Sequence, residues 1–305
     1  MSITVLGSIN IDLGCTVARL PHPGETVHGD SYAMGLGGKG CNQAVAVQRL
    51  GGAVALLGAV GEDLFAERAR EELTAAGVDT AYLLRLGAPT GIALISVEPG
   101  GENQITVIGG ANMALRVDDL DAYRELLASA GLLLLQLEIP LEVNLAAMDS
   151  VRVHGGRVIF DPAPMPADGL ADQVLDRIDI ITPNEVETAS LLGQRPETTS
   201  DAEAAARALH ARGVGVAVVK LGARGVGVFD GREFRFVKPF RVASVDSVAA
   251  GDCFNGGLAF ALERGEDIFQ AVRFAAACGA LATTRPGAAA AAPTLAEVRA
   301  LLGGG

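Results

Sequence analysis

The most informative stretch of this sequence reads Asp246-Ser247-Val248-Ala249-Ala250-Gly251-Asp252-Cys253-Phe254-Asn255-Gly256-Gly257. Its small residues lead into an apolar pattern that predicts a helix over roughly residues 250–264. The first N–H groups of a helix lack intrahelical acceptors and carry the positive end of the helix dipole, so they bind anions. Asp252 lies beside these groups and could accept a proton from a hydroxyl. The stretch therefore indicates a phosphoryl-transfer centre, although an acidic first helical turn also occurs without any such function.

Outward from this stretch, strand-like and helical patterns alternate along most of the chain. The predicted strands are Ile3–Ser8, Ala53–Ala59, Leu132–Leu137, Arg157–Phe160, Ile178–Ile181 and Val214–Leu221. The predicted helices include Asp63–Ala76, Val117–Ala130, Leu141–His154, Asp201–Arg212 and Ile268–Thr283. This alternation predicts an α/β fold whose central, mainly parallel sheet is covered by helices on both faces. We expect a single domain over residues 1–305.

Two stretches interrupt the alternation and predict a small β-strand lid. Short strand-like alternation of side chains occurs in Thr26–Met34 and in Ile92–Val107. The second stretch contains the turn-forming run Pro99-Gly100-Gly101-Glu102-Asn103. The lid is expected to comprise about residues 12–36 and 90–110. Because exposed edge strands tend to pair with other strands, these segments also predict a homodimer formed through the lid.

Composition excludes several classes of partner. The 305 residues carry a net charge of −12 and contain no basic run, which argues against nucleic acid or an anionic membrane as partner. The chain starts on a strand pattern without a signal-like segment, and apolar stretches such as Gly131–Leu135 are too short to span a bilayer.

The four cysteines, Cys15, Cys41, Cys253 and Cys278, show no C-x-x-C spacing. A cytoplasmic protein with reduced thiols is expected. Cys253 lies at a predicted helix start, where the pKa of a thiol can be lowered, although a small core residue is the more common role.

Polar residues follow each of the six predicted strands. They are Asn10 and Asp12, Gly61-Glu62-Asp63, Glu138, Asp161, Asn184 with Glu187, and Gly222. The ligand crevice of an open α/β sheet lies outside the carboxyl ends of its strands. These residues therefore predict one polar cleft, even though short polar residues are also common as helix caps and in turns.

The run Gly35-Leu36-Gly37-Gly38-Lys39-Gly40 matches the G-x-G-x-x-G pattern of dinucleotide-binding loops. The segment before it is polar and alternating, unlike a buried parallel strand, and Lys39 places a cation inside the loop. A Walker A loop is excluded, because Ala33 and Gly40 replace the Gly and the Ser or Thr that it requires. A sugar site fits better, since glycines allow close approach and Asn10, Asp12, Asn42 and Glu138 offer donors and acceptors to hydroxyl groups.

Gly37-Gly38-Lys39-Gly40-Cys41-Asn42-Gln43-Ala44 resembles the first signature of the ribokinase-like (PfkB) sugar kinases, and Asp246–Asp252 resembles the second. Further motifs resemble the ribokinase branch of this family in the right order: Gly7-Ser8-Ile9-Asn10-Ile11-Asp12, Pro23-Gly24-Glu25-Thr26, Thr90-Gly91-Ile92-Ala93, Gly110-Ala111-Asn112, Gln136-Leu137-Glu138 and Ile181-Thr182-Pro183-Asn184-Glu185. The resemblance covers nearly the whole chain. It implies a kinase that uses Mg-ATP to phosphorylate the primary hydroxyl of a pentose, with D-ribose phosphorylated at O5 as the expected reaction.

Alternative functions stay open at this point. A family kinase for fructose, 2-keto-3-deoxygluconate or a nucleoside would share both signatures. An NAD-dependent oxidoreductase and a non-catalytic sugar sensor are more distant alternatives.

The resemblance also implies roles for individual residues. Asp252 would be the base, and the backbone N–H groups of Ala249, Ala250 and Gly251 would form the anion hole. The sugar would be bound by Asn10, Asp12, Gly38, Lys39, Asn42, Glu138 and Asp252. The nucleotide would be bound by Asn184, Lys220, Gly222, Ala223, Gly225 and Gly251. Glu187 would hold Mg²⁺ through water, and an activating K⁺ would be held by Asp246, Val248, Ala282, Arg285 and Gly287.

Four positions depart from the family pattern. Family members often have Thr and Ser where this chain has Lys220 and Ala223. Ala291 stands where relatives commonly supply a hydroxyl to the potassium site, and Asp161 stands where Asn is usual. None of these departures affects Asp252 or the glycines of the two signatures.

Overall fold

The computed structural model describes residues 2–100 and 102–304, and its elements alternate for most of the chain. The strands are β1 (Ser2–Leu6), β2 (Asn10–Val17), β3 (Gly29–Gly37), β4 (Val54–Val60), β5 (Leu83–Arg85), β6 (Gly91–Val97), β7 (Asn103–Ile108), β8 (Ala130–Leu135), β9 (Arg157–Phe160), β10 (Ile180–Ile181), β11 (Val216–Lys220), β12 (Val226–Phe229) and β13 (Phe234–Val237). The α-helices are α1 (Lys39–Arg49), α2 (Leu64–Ala75), α3 (Ala111–Ala114), α4 (Arg124–Ser129), α5 (Leu141–Val153), α6 (Asp172–Leu175), α7 (Glu185–Leu192), α8 (Thr199–Ala211), α9 (Ala250–Glu263), α10 (Ile268–Ala282) and α11 (Leu295–Gly303). The 3₁₀ helices are Val117–Tyr123, Gly222–Arg224 and Ala289–Ala291.

A large sheet forms the centre of the molecule. Within the described residues it contains nine strands in the order β13-β12-β11-β10-β9-β8-β1-β4-β5. The pairs from β11 through to β5 are parallel, whereas β12 and β13 add an antiparallel edge. The predicted α/β class with a mainly parallel sheet is confirmed.

Helices cover both faces of the large sheet because alternate side chains of each strand point in opposite directions. Ile3 and Val5 pack into one buried cluster, which includes side chains of α1, α2, α9 and α10. Leu6 belongs to the second cluster, together with side chains of α5 and α8. Among the described residues, no helix is both long and apolar enough to cross a membrane.

The lid is a smaller sheet with the strand order β3-β2-β6-β7. Its outer pairs are antiparallel, and the central pair, β2 with β6, is parallel. A backbone hydrogen bond of 3.0 Å from Glu98 N to Glu102 O closes the turn between β6 and β7, in which Gly101 lies outside the described residues. The expected strand Thr26–Met34 is displaced, since β3 runs from Gly29 to Gly37.

Asn10 and Asp12 lie within lid strand β2 and not in a loop that follows β1. After β1 the chain leaves the large sheet within three residues and enters the lid, where Asn10 pairs with Gly37 and Gly91. The polar and apolar residues of β2 alternate as expected for a strand with one exposed face. Asp12 therefore reaches the cleft from the lid.

The predicted helix Val117–Ala130 is broken in two. A 3₁₀ helix ends at Tyr123, α4 follows, and Ala130 already belongs to β8. The buried Tyr123 hydroxyl donates a hydrogen bond of 3.2 Å to Gly58 O, which ties this position to the large sheet. Tertiary packing has overridden the helical pattern here.

Candidate active site

Asp252 occupies the first turn of α9 and is 4% exposed. Its Oδ2 accepts a hydrogen bond of 3.0 Å from Asn42 Nδ2, and its Oδ1 accepts one of 3.3 Å from Gln43 Nε2. The Lys39 ammonium lies 3.9 Å from Oδ1. Three side chains of α1 thus hold the carboxylate in one position.

The surroundings of Asp252 prepare it to accept a proton. Burial, together with the negative charges of Asp161 and Glu138, raises its pKa to about 6, although Lys39 and the hydrogen bond from Asn42 act in the opposite direction. A base works best when its pKa lies near the operating pH. Asp252 is therefore ionised at neutral pH but more basic than an ordinary aspartate.

The N-terminus of α9 supplies backbone donors beside this carboxylate. Its N-cap residue, Ala249, has a φ of 56° and makes no side-chain cap. The Ala250 N–H donates a long hydrogen bond of 3.3 Å to Ser247 O, and Gly251 occupies the second helical position, where the helix offers no acceptor. A Cβ placed on Gly251 would lie 3.5 Å from Lys220 Nζ. The helix dipole and this ammonium together make the position attractive to an anion.

Two glycines let α1 begin against the end of β1. Gly38 precedes α1 with a φ of 89°, and a Cβ on Gly40 would lie 2.6 Å from Gly7 C. This close approach positions the first turns of α1 over the carboxyl edge of the large sheet. Lys39, Asn42 and Gln43, spaced i, i+3 and i+4, then share one face of the helix and point towards Asp252.

Several of the polar groups expected to bind sugar lie around the start of α1 and the end of β1. Glu138 Oε2 accepts hydrogen bonds from Ser8 Oγ at 2.5 Å and from Lys39 N at 3.0 Å. Asn10 Oδ1 accepts one of 2.8 Å from Asn112 Nδ2. Asn42 Oδ1 is buried and has no protein partner within the described part of the chain, so it is available as an acceptor for a ligand hydroxyl.

Asp12 completes the acidic side of the cleft. Burial and the charges of Glu138 and Asp252 raise its pKa to about 6. The mutual effect of these carboxylates indicates that Asp12, although contributed by the lid, faces the same space as the base.

A buried ionic cluster lies behind Asp252. The Asp161 side chain is 3% exposed, and Lys39 Nζ and Lys220 Nζ lie 3.5 and 3.4 Å from its two oxygens. Burial lowers the pKa of Lys39, but Asp161 and Asp252 outweigh this effect and raise it above the usual value. Lys39 is therefore a permanent cation.

The predicted nucleotide side begins with Asn184, the N-cap of α7. Its Oδ1 accepts from the N–H groups of Val186 and Glu187 at 2.8 and 2.9 Å, while Glu187 Oε2 accepts from Asn184 N at 2.7 Å. This reciprocal cap fixes the orientation of the Glu187 carboxylate. Burial raises the pKa of Glu187, and the nearby Lys220 ammonium opposes that rise.

The turn that follows β11 packs against the same helix. Gly222 and Ala223 lie in a 3₁₀ helix that Gly225 terminates, and Arg224 Nη2 forms a 2.9 Å ion pair with Glu185 Oε1. The loop predicted to bind nucleotide is thereby anchored next to the Asn184 cap.

Two of the predicted potassium ligands, Val248 and Gly287, bond to the carboxylate of a third, Asp246. Its Oδ1 accepts from Val248 N at 3.0 Å and its Oδ2 from Gly287 N at 3.1 Å, so the carboxylate joins the two segments. Ala282 is the last residue of α10 and precedes Gly287 in the sequence. The Arg285 side chain is occupied by a 2.7 Å ion pair with Glu297, which leaves its backbone carbonyl as the available ligand.

Sequence reasoning gave no role to Gln43, and it placed Asp161 at the cleft edge without predicting its partners. Gln43 is buried, and Gln136 Nε2 donates to its Oε1 at 2.8 Å. Its i+4 spacing from Lys39 was a usable signal. No local pattern indicated the contacts of Asp161 with Lys39 and Lys220, which are 122 and 59 residues away in sequence.

Two alternative interpretations are wrong. The run Gly35–Gly40 joins the end of lid strand β3 to the start of α1, whereas a dinucleotide fingerprint requires a strand of the parallel sheet before its helix. A lowered pKa for the Cys253 thiol is also wrong, because burial raises that pKa well above the usual value. Cys253 is a core residue.

Comparisons with known proteins agree with this geometry. The model of the "pfkB family carbohydrate kinase" matches residues 1–295. A ribokinase of Haemophilus influenzae is 38% identical over 297 residues, covering 97% of this chain and 96% of that protein. The crystal structure of a Thermotoga maritima ribokinase superposes with a TM-score of 0.90 at 36% identity, covering 99% of each chain. The structure of an Arabidopsis thaliana ribokinase complexed with ribose and ATP gives a TM-score of 0.90 at 34% identity, covering 99% of this chain and 98% of that chain.

A family model that spans nearly the whole sequence, together with the clustering of both signatures around one buried carboxylate, leads to one conclusion. The chain belongs to the pfkB family of carbohydrate kinases.

Proposed function

We propose that this kinase transfers the γ-phosphoryl group of Mg-ATP to O5 of D-ribose, forming D-ribose 5-phosphate and ADP. The observation that carries the proposal is the buried Asp252 carboxylate, held by Asn42 and Gln43 beside the N-terminus of α9. The relatives named above are ribokinases, and one of them is complexed with ribose and ATP. A base and an anion site in contact are the groups that phosphoryl transfer to a hydroxyl requires.

In the proposed mechanism the lid and the large sheet enclose the sugar between them. Asp12, Asn10, Asn42 and Glu138 accept hydrogen bonds from its hydroxyl groups, and the Asp252 carboxylate takes the proton from O5. The oxygen then attacks phosphorus in line, while the bond to the ADP oxygen breaks. The N–H groups at the start of α9 and the ammonium of Lys220 stabilise the charge on the transferring group. Exclusion of water by the lid would limit ATP hydrolysis.

The carboxylate and carbonyl groups present suit the expected cations. Glu187, oriented by its cap, would hold Mg²⁺ through water, because Mg²⁺ keeps several waters and relies on substrate phosphates. When bound, Mg²⁺ would neutralise charge on the phosphates. Asp246 with the carbonyls of Val248, Ala282, Arg285 and Gly287 would hold K⁺. Ala291 is buried and lacks a side-chain oxygen, so K⁺ would depend on Asp246 and the carbonyls alone.

The experiment that tests the function is an assay of sugar-dependent ADP release over a panel of acceptors. The panel contains D-ribose, 2-deoxy-D-ribose, D-fructose, 2-keto-3-deoxygluconate and adenosine, each assayed in KCl and in NaCl. We expect the highest kcat/KM with D-ribose and a faster rate in KCl. A higher kcat/KM for another acceptor would contradict the assignment of ribose and make the protein a family kinase for that acceptor.

Asp252→Asn separates this mechanism from sugar binding without turnover. Loss of a positioned general base is expected to lower kcat by about 10²-fold or more. Asp149→Asn is the matched control, because Asp149 only forms a surface ion pair with Arg177 and should leave kcat unchanged. Turnover of Asp252→Asn close to that of the control would contradict the role of Asp252.

We propose further that the enzyme works in the cytoplasm as a homodimer joined through the lid. The exposed apolar side chains of Tyr32, Met34 and Leu94 on the lid strands support the dimer. The four unpaired cysteines agree with a reducing compartment.

A further inference from the structure

The buried carboxylate of Asp161 binds one lysine with each of its oxygens. Lys39 Nζ lies 3.5 Å from Oδ2, and Lys220 Nζ lies 3.4 Å from Oδ1. Asp161 follows β9, whereas its partners begin α1 and end β11. One anion therefore sets the distance between two cations that come from different parts of the fold.

The two ammonium groups lie beside different parts of the site. Lys39 is next to the base, 3.9 Å from Asp252 Oδ1. Lys220 is next to the start of α9, where a Cβ on Gly251 would lie 3.5 Å from its Nζ. Its charge also acts on Glu187, the expected magnesium carboxylate. Lys220 thus occupies the space between the anion hole and the metal side of the cleft.

A lysine needs a partner to serve as a fixed phosphate ligand. Its four-carbon stem is flexible, and a cation that must reorganise during the reaction stabilises the transition state poorly. A buried carboxylate close to phosphate groups would by itself repel them, so Asp161 is useful there only through the cations that it holds. Gln43 Nε2 completes the arrangement, at 3.5 Å from Asp161 Oδ2 and 3.3 Å from Asp252 Oδ1.

Asp161 and Lys220 are also two of the positions at which the sequence departs from the family pattern. The structure brings these departures into direct contact, 59 residues apart in sequence. A carboxylate in place of Asn and an ammonium in place of a hydroxyl compensate each other's charge in the buried site.

We propose that Asp161 is a positioning residue that holds the Lys220 ammonium against the transferring phosphoryl group while it holds Lys39 beside the base. The proposal rests on the proposed kinase reaction and assigns Lys220 a direct contact with phosphate. Asp161 itself touches neither substrate and acts through the lysines.

A double-mutant cycle with Asp161→Asn and Lys220→Thr tests the proposal. Because a misplacement of about 1 Å can cost up to ~10²-fold, we expect Asp161→Asn to lower kcat by about tenfold. The Kd of ATP, measured by calorimetry, should change by less than about threefold, since the variant loses a repulsive charge as well as a tether. In the Lys220→Thr background, Asp161→Asn should lower kcat by less than about threefold, because Lys220 is absent and Lys39 keeps its contact of 3.9 Å with Asp252 Oδ1.

Two outcomes would overturn the proposal. One is a decrease in kcat caused by Asp161→Asn that is about as large in the Lys220→Thr background as in the unmodified enzyme, which would indicate a purely structural effect. The other is a kcat for Asp161→Asn within about twofold of the unmodified enzyme. Asp179→Asn is the matched control. Asp179 is a half-buried aspartate outside the cleft, and it accepts a hydrogen bond of 2.8 Å from Val158 N.

The cycle remains informative under two complications. If Asp161→Asn does not fold, Asp161→Ser takes its place. The acceptor panel on the unmodified enzyme decides the proposed function independently, and the cycle is then run with whichever sugar the enzyme phosphorylates.

Discussion

Asp252 illustrates how one residue gains its reactivity from burial and from neighbours of both charges. Burial and the carboxylates of Asp161 and Glu138 raise its pKa, whereas Lys39 and Asn42 limit the rise to about 6. Without these two partners the pKa would be higher still, so a smaller fraction of the carboxyl groups would be ionised and able to act as a base at neutral pH. The same surroundings therefore supply both the basicity and the charge that the reaction needs.

The pH dependence of the reaction follows from this pKa. A carboxyl group must be ionised to accept a proton, so lowering the pH through about 6 protonates Asp252 and should reduce kcat/KM. We expect log kcat/KM for the sugar to fall with a slope approaching one below that pH and to be level above it. Rates measured from about pH 5 to 8 at constant ionic strength provide the check.

The effect of Asp12 on the pH profile must be distinguished from that of Asp252, because the pKa of Asp12 is also raised to about 6. The acidic decrease in kcat/KM should persist in Asp12→Asn. Its disappearance in that variant would assign the decrease to Asp12 and contradict its assignment to Asp252.

At the scale of elements, the contact between α1 and α9 aligns the two signatures. A Cβ on Gly256 would lie 2.7 Å from Ala46 Cβ and 2.9 Å from Gln43 O, so the helices are closer than any side chain would allow. The contact sets how far Asn42 and Gln43, on α1, can reach towards Asp252, on α9. Glycine is therefore required here for packing.

Gly256→Ala should separate the two helices and weaken the site. Overpacking of this kind typically costs about 1–3 kcal/mol of stability. We expect a lower free energy of unfolding in urea titrations and a lower kcat, because the hydrogen bonds to Asp252 lengthen. Gly303→Ala, at a helical position with no atom within 4 Å of the added Cβ, is the control and should not destabilise the protein. Equal effects of both substitutions would contradict the packing argument.

At the scale of the whole molecule, the lid presents apolar side chains to solvent. Tyr32 is 84% exposed, and Met34 and Leu94 lie on either side of Leu13 in the register of the sheet. Large exposed apolar patches on soluble proteins usually mark interaction sites, and a sheet with free edges is a typical one. A second copy of the chain would cover such a surface by two-fold symmetry.

Charges on this surface should separate the subunits. We expect the double variant Met34→Glu with Leu94→Glu to be a monomer when the unmodified enzyme is a dimer in sedimentation velocity at micromolar concentration. Val153→Glu is the control, because Val153 is 82% exposed at the end of α5, away from the lid, and should leave the dimer intact. A monomeric unmodified enzyme, or a dimeric double variant, would contradict the proposed interface.

Local patterns in the sequence were sufficient to predict the fold class. They also indicated two parts of the candidate site, the anion site and the ligand loop. Alternation of strands and helices predicted the parallel sheet, because burial of each face imposes a periodicity that can be read along the chain. The stretch around Asp252 and the glycine loop before α1 likewise indicated an anion site and a ligand loop. The sequence by itself thus determined the layers of the fold and the chemistry of the phosphoryl-transfer end.

Only the tertiary structure decided which distant residues meet. It placed Asn10 in a lid strand, made Gln43 a hydrogen-bond donor to Asp252, and placed Asp161 between Lys39 and Lys220, which are 122 and 59 residues away in sequence. These contacts depend on the order of strands in the sheet and on how closely α1 approaches α9. Neither quantity is encoded in the periodicity of a single segment, since both arise only when all the apolar faces are buried together.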